Sequence, residues 1–152
     1  MKQLLLLQVF LYLGLSSFAQ TINPNYDSTL AKTFGADDYG MKMYVLAILK
    51  TGSNNLEDKA VKDSLFAGHM QNMGRLVDMG KLIVAGPLGK NDKTYRGIFI
   101  LNVTTFEEAN QLMETDPAIK EKLLEPELFK WYGSAALSDY LKTSEKISKY
   151  NH

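Results

Sequence analysis

His69 is one of only two histidines in the chain, and it falls within a helical pattern of apolar residues. Leu65 and Met73 lie one turn to either side of it, which places His69 on the apolar stripe of the predicted helix. Imidazole is the side chain that ordinarily titrates near neutral pH. On the inner side of a helix it is either a hydrogen-bonded packing residue or the acid or base of a buried site. Position alone favours the packing interpretation.

Several other kinds of chemistry lack the residues they need. The chain has no cysteine, and its other histidine, His152, is the last residue, so no cluster of metal ligands is expected. The seven methionines indicate core filling. No Gly-x-Gly-x-x-Gly fingerprint occurs, and residues 86–91 lack the spacing and hydroxyl of a P-loop. Basic and acidic residues number 17 each and form no basic stripe, which argues against nucleic-acid binding. We therefore expect neither cofactor nor metal.

The first residues have the pattern of a secretory signal peptide. Lys2 precedes an apolar run from Leu4 to Leu15, and Ser17-Phe18-Ala19 has the small-x-small form of a cleavage site. The run is short for a membrane span, and no basic stop-transfer flank follows it. We expect residues 1–19 to be removed and the mature protein, beginning at Gln20, to be periplasmic or secreted without a membrane anchor. Retention as a membrane helix is the less favoured alternative.

The remaining chain divides into a polar leader (20–40), a domain (41–137) and a C-terminal tail (138–152) that can form a weakly amphipathic helix. Residues 41–50 are apolar on both alternating faces, which is typical of a strand buried from two sides. A helix is predicted from Leu56 to about Met79, followed by short strands at 82–85 and 97–103. Thr104 or Thr105 begins a second helix through a capping box.

Asp116-Pro117 is typical of an N-cap followed by proline at the first helical position, and it predicts a short helix ending near Leu124. A last strand is predicted at 127–132. The order of elements is that of the split βαβ or ferredoxin-like α+β fold, a four-stranded antiparallel sheet with helices on one face. Because the central strands are apolar on both faces, we expect a homodimer that covers the open face with a second copy. Folding of the leader and tail over that face is the alternative, disfavoured by their polarity.

The chain resembles YCII-related (YciI-like) proteins over about residues 41–135. The motifs that carry the resemblance occur in the family's order: 66–70 (FAGHM), 80–88 (GKLIVAGPL), 97–101 (GIFIL), 106–109 (FEEA) and Asp116-Pro117. The resemblance implies a dimeric α+β barrel and a site formed by His69 and Asp116. The chain departs from the family at Ala118, where an aromatic residue is common, and this leaves the pocket wall and the substrate open.

A carboxylate hydrogen-bonded to one imidazole nitrogen fixes the tautomer and makes the other nitrogen more basic. Such a pair suits proton transfer, isomerisation or elimination on a small molecule. Acid/base catalysis of this kind raises the reaction rate roughly a hundred- to ten-thousandfold. Two hypotheses follow: a cofactor-free enzyme in which Asp116 orients His69, or a non-catalytic dimer that binds a small hydrophobic or aromatic ligand. Asp116 has the simpler interpretation of a helix cap. Strand packing and hairpin surface likewise account for the other pocket candidates, Tyr44, Tyr95, Arg96, Trp131 and Tyr132.

Overall fold

Four antiparallel strands form one sheet in the order β2-β3-β1-β4. The computed structural model describes residues 22–149, so the predicted signal peptide (1–19) and His152 lie outside the described residues. The strands are β1 (Met41–Thr51), β2 (Leu82–Pro87), β3 (Tyr95–Leu101) and β4 (Leu124–Ser134). With two helical crossovers, this strand order is that of the ferredoxin-like α+β fold. The predicted fold class is confirmed.

Helices precede, connect and follow the strands. They are α1 (Ser28–Phe34), α2 (Lys59–Asp78), α3 (Phe106–Met113), α4 (Pro117–Lys120), a 3-10 helix η1 (Ala135–Tyr140) and α5 (Leu141–Ile147). Helix α2 connects β1 to β2, and α3 and α4 connect β3 to β4. Both connections are crossovers on the same side of the sheet, where the main core forms. No helix among residues 22–149 has the length and apolar character needed to cross a bilayer.

The central strand β1 supplies both faces of the sheet. Val45, Ala47 and Leu49 point toward the helices and are almost fully buried in the main core. Phe99 pairs with Ala47 across the β1–β3 ladder, so its ring lies on this same helix-covered face. Because side chains alternate along a strand, Tyr44, Leu46 and Ile48 point to the opposite face. The apolar side chains on the two sides of β1 therefore lie in two separate environments.

Helix α2 begins later than the sequence predicted. The expected start was near Leu56, but Asp58 is the N-cap, and its carboxylate accepts from the backbone N–H groups of Ala60 and Val61. Asparagine and serine residues between 53 and 55 share the same capping propensity, so local sequence does not single out one of them. The inner face of α2 also includes a polar residue outside the predicted apolar stripe. Asn72 is buried, whereas Val61, two turns before His69, is 45% exposed.

The opposite face of the sheet is partly covered by the chain's own C-terminal segment. Leu137 of η1 packs against the cluster of Tyr44, Ile83 and Ile100. The Tyr140 hydroxyl donates to the carbonyl of Ile83. Leu137 is the last residue of the predicted domain (41–137), whereas Tyr140 belongs to the predicted tail (138–152). The expectation that the tail is too polar to reach the sheet is therefore wrong at Tyr140, because its hydroxyl bonds to the backbone of β2.

The leader contains a helix that its sequence did not predict. Asp27 caps α1 by accepting from Leu30 N, and Gly35 ends the helix with a φ of 67°. Leu30 remains 53% exposed, and no residue of α1 is buried. Local capping chemistry, rather than an apolar stripe, therefore defines this helix.

Candidate functional site

The side chains of His69 and Asp116 meet beneath α2. Nδ1 of His69 lies 2.6 Å from Oδ2 of Asp116, although the two residues are 47 positions apart. Both are buried: the side chain of His69 is 10% exposed, and that of Asp116 is fully covered. The contact implied by the family resemblance is thus present. The catalytic role of the two residues stays a prediction.

Asp116 uses its two carboxyl oxygens for different purposes. Oδ1 accepts from the backbone N–H of Ala118 at 2.9 Å and of Ile119 at 3.4 Å, which caps α4. Oδ2 is left for the imidazole. Pro117 at the first helical position fixes the backbone just after the cap. The Asp-Pro signal in the sequence therefore predicts the start of α4, and the same cap geometry directs the second oxygen toward His69.

The His69 ring lies between two phenylalanines. It stacks on Phe99 of β3, with ring centroids 5.8 Å apart and planes inclined by 13°. Phe66, one turn earlier on α2, meets it edge-on at 6.2 Å. Phe66 and Met70 are 39% and 49% exposed, so apolar surface of α2 flanks the histidine on its solvent side. These contacts fix the orientation of the ring about its hydrogen bond to Asp116.

Nε2 of His69 has no hydrogen-bond partner among residues 22–149, and it is not sealed from water. In that part of the chain, the one buried side-chain nitrogen or oxygen without a hydrogen bond is Nδ2 of Asn72. Since the hydrogen bond of the imidazole is made through Nδ1, Nε2 must reach solvent. Because an ionised carboxylate only accepts hydrogen bonds, a neutral imidazole facing one holds its proton on Nδ1 and presents the Nε2 lone pair outward. This is the arrangement of an oriented general base.

Three polar residues beside the pair were missed by the sequence analysis. Asn72 Oδ1 accepts from Arg75 Nη2 at 2.7 Å and lies 3.1 Å from Thr115 Oγ1, whose hydroxyl donates to the carbonyl of Leu112 at 2.6 Å. Arg75 Nη2 also donates to Thr115 Oγ1 at 2.7 Å. Helical spacing does place Asn72 three residues after His69 and therefore on the same face. That spacing was the available signal, but a polar residue at an inner position contributes nothing to an apolar stripe.

The aromatic and basic pocket candidates lie away from His69. Tyr44 and Trp131 pack together on the opposite face of the sheet, with ring centroids 5.5 Å apart. Burial raises the pKa of the Tyr44 hydroxyl, which donates to the carbonyl of Ser134 at 2.8 Å. The hydroxyl of Tyr132 donates to Asp37, and this hydrogen bond raises the pKa of Tyr132. The packing interpretation of these residues therefore accounts for what the structure shows.

Arg96 and Tyr95 likewise belong to the hairpin. Nε of Arg96 donates to Thr51 Oγ1 at 2.6 Å, and the backbone of Tyr95 is bonded by the side chain of Asn91. In the part of the chain that the structure describes, no three His, Cys, Asp or Glu side chains lie close enough to hold a metal ion. The polar groups that converge on the helix-covered face are therefore those of the His69–Asp116 pair and its neighbours.

No family model matches the chain, and no curated protein matches it. Among solved structures, the chain is similar to the 5-chloro-2-hydroxyhydroquinone dehydrochlorinase TftG of Burkholderia phenoliruptrix AC1100 in complex with 2,5-dihydroxybenzoquinone. The two chains are 22% identical, the match covers 57% of this chain and 92% of that one, and the TM-score is 0.41. The fold assignment given above depends on this chain's own strand order.

Proposed function

We propose that the protein is a cofactor-free enzyme that transfers protons on a small-molecule substrate, with His69 as general acid/base and Asp116 as the carboxylate that orients it. The observation that carries the proposal is the 2.6 Å contact of Nδ1 with a fully buried carboxylate, while Nε2 reaches solvent. An oriented imidazole with its second nitrogen open to solvent is what a general base needs to meet a substrate. Isomerisation and elimination are the reactions this pair suits best, because both begin with removal of a proton from carbon.

Hydrogen exchange into deuterated water tests this function across a range of candidate substrates. Residues 20–152 are incubated with a panel of ketones, 1,3-dicarbonyl compounds and β-substituted acids, and loss of C–H signals is followed by NMR. For any compound that exchanges, His69→Gln and Asp116→Asn should slow the reaction roughly a hundred- to ten-thousandfold. His152→Gln, which changes the other histidine, is the matched control and should leave the rate unchanged.

The alternative is a non-catalytic module that binds a small hydrophobic or aromatic ligand at the same place. The exposed side chains of Phe66 and Met70 beside the imidazole favour it, since flat apolar ligands bind to such surfaces. If this alternative is right, a compound in the panel should bind to the protein without exchange of its C–H hydrogens. His69→Gln would then weaken binding and change no rate.

We also propose that two copies associate through the uncovered part of the sheet. Ile48 pairs with Ile98, and Leu46 pairs with Phe129, so these side chains form one apolar patch beside the part of the sheet that Leu137 covers. Phe129 is 41% exposed. An uncovered sheet face of this composition is typical of an interface between identical subunits.

Sedimentation velocity of residues 20–152 should therefore give a dimer. Ile48→Glu should produce a monomer, because the charge falls within the apolar patch and outside the cluster beneath Leu137. Met43→Glu is the matched control, since Met43 lies on the opposite face of the same strand and is already 38% exposed. A wild-type protein that stays monomeric at micromolar concentration would contradict this assembly.

The mature protein is proposed to act outside the cytoplasm, after removal of residues 1–19. Expression of the full-length chain in a bacterial host, followed by separation of periplasm and medium, tests this localisation. The mass of the recovered protein should correspond to a chain beginning at Gln20. Recovery of the uncleaved chain from the cytoplasm would refute export.

A further inference from the structure

Helix α2 touches the Asp116 turn at a glycine. A Cβ atom placed on Gly68 would lie 2.6 Å from Cγ of Pro117, closer than two such carbon atoms can approach. Gly68 immediately precedes His69, and Pro117 immediately follows Asp116. The absence of a side chain at Gly68 thus sets how near the imidazole and the carboxylate can come. Any larger residue must push the two segments apart.

A second attachment holds the other side of the same turn. Thr115, immediately before Asp116, accepts from Arg75 Nη2 at 2.7 Å. Its hydroxyl donates to the carbonyl of Leu112 at 2.6 Å, and its Oγ1 lies 3.1 Å from Asn72 Oδ1. Asn72 and Arg75 follow His69 by one and two turns on α2. The residues on both sides of Asp116 are therefore held by α2, one through close packing and the other through hydrogen bonds.

Asn72 makes this attachment at a cost to its own amide group. Arg75 donates to Oδ1 through Nε at 3.3 Å and Nη2 at 2.7 Å, which fixes the orientation of the amide. Nδ2 is then left buried without a partner. An unsatisfied buried N–H is unfavourable. Asn72 therefore acts through its acceptor oxygen, which binds the same Arg75 guanidinium that donates to Thr115.

We infer that Gly68 and Asn72 are positioning residues that hold Asp116 against His69 and thereby fix the imidazole in its Nδ1–H tautomer. This inference deepens the proposed function and rests on it for its purpose, because the Nε2 lone pair is available to a substrate only in that tautomer. The geometry it describes can nevertheless be measured without a substrate. If Gly68 had only a structural role, Gly68→Ala would change stability and leave the tautomer ratio of His69 unchanged. Helix propensity by itself would favour the variant, because alanine is the better helix former.

The test is ¹⁵N NMR of the imidazole at a pH above the histidine titration, where the shifts of the two ring nitrogens distinguish the tautomers. The spectrum of His69→Gln identifies the signals of His152. Gly68→Ala should lower the ratio of Nδ1–H to Nε2–H in His69 by about tenfold, as expected when a hydrogen bond worth about 1.4 kcal/mol is lost. Asn72→Ala should shift the ratio in the same direction.

Gly74→Ala is the matched control on the same helix. A Cβ atom at Gly74 meets nothing within 4 Å, so this variant gains the same helix propensity without the clash. Its tautomer ratio should equal that of the wild type. If Gly68→Ala also keeps the wild-type ratio, the positioning role of Gly68 is refuted.

A rescue variant identifies the contact that matters. Gly68→Ala combined with Pro117→Ala removes the ring atom that would clash, and the tautomer ratio should return to within about twofold of the wild type. If Gly68→Ala does not fold, the double variant should fold and show the wild-type tautomer. A double variant that remains unfolded or keeps the altered ratio would overturn the inference.

The two proposals fail in different ways. Tautomer shifts in Gly68→Ala without any His69-dependent proton exchange leave the positioning role intact and refute the enzyme function. His69-dependent exchange that Gly68→Ala and Asn72→Ala leave unchanged, together with unchanged tautomers, refutes the positioning role alone.

Discussion

Replacement of Asp116 should affect stability by amounts that follow from its three hydrogen bonds. Asp116→Ala removes the cap of α4, worth about 1 kcal/mol. It also leaves the buried Nδ1–H of His69 without an acceptor, which costs about 1–3 kcal/mol. Since the carboxylate is fully covered, water does not replace these bonds without rearrangement. We expect the free energy of unfolding to fall by about 2–4 kcal/mol.

Asp116→Asn separates the cap from the carboxylate's role at His69. The amide oxygen can still accept from Ala118 N and Ile119 N, so the cap is retained. The amide N–H₂ group then faces Nδ1, which has to become an acceptor. A charged hydrogen bond is exchanged for a neutral one, and the expected loss is about 1–2 kcal/mol. The imidazole should adopt the Nε2–H tautomer.

Urea unfolding followed by the fluorescence of Trp131, the single tryptophan, measures both variants. All proteins are compared at one protomer concentration, because association of subunits would stabilise the folded state. The expected order of stability is wild type, Asp116→Asn, Asp116→Ala. A loss below about 0.5 kcal/mol for Asp116→Ala would refute the assigned hydrogen bonds, since that value is typical of ordinary surface substitutions.

Three further substitutions test other contacts. Tyr44→Phe removes a buried hydroxyl that donates to a backbone carbonyl and should lower the free energy of unfolding in urea by about 1 kcal/mol. The Tyr132 hydroxyl holds the pKa of Asp37 below its ordinary value. The stability that this hydrogen bond contributes is therefore fully present above the unfolded-state pKa of Asp37, and it is lost as pH falls through the folded-state pKa. Asp37→Asn should for this reason flatten the acid limb of a plot of stability against pH. Gly52→Ala places a Cβ atom 2.0 Å from the carbonyl oxygen of Lys122, so calorimetry should show a lower Tm, with a loss of about 1–3 kcal/mol.

The features that the sequence predicted best are those that local chemistry determines. Asp116-Pro117 specifies an N-cap and first turn through two consecutive residues. Thr105 caps α3 by accepting from Glu108 N, which is one half of a proposed capping box, whereas the Glu108 carboxylate pairs with Lys81. The alternating apolar pattern of β1 predicted a strand with two buried faces. Such signals are short in range and are not overridden by tertiary contacts.

The features that were missed depend on which segment packs against which. Leu137 is an isolated apolar residue next to the polar tail, and its position over Ile83 follows from the path of the chain after β4. Buried Asn72 likewise lies beside Thr115, which is 43 residues away. The contact of Gly68 with Pro117 of α4 also joins residues far apart in the sequence. Periodicity identifies the inner face of a helix and does not identify the partner of each residue on it.

The two oxygens of Asp116 serve different purposes, and this matters when the protein is compared with its relatives. Under the proposed function, a lineage that abandoned proton transfer would still need Oδ1 to begin α4, so natural selection would keep the aspartate for folding alone. The imidazole contributes to the folded state through Nδ1 and its aromatic neighbours, whereas its open Nε2 does not. Conservation of the acid by itself would therefore be a poor guide to activity, and an Asp-Pro pair without the histidine would mark proteins that cannot use this route of proton transfer.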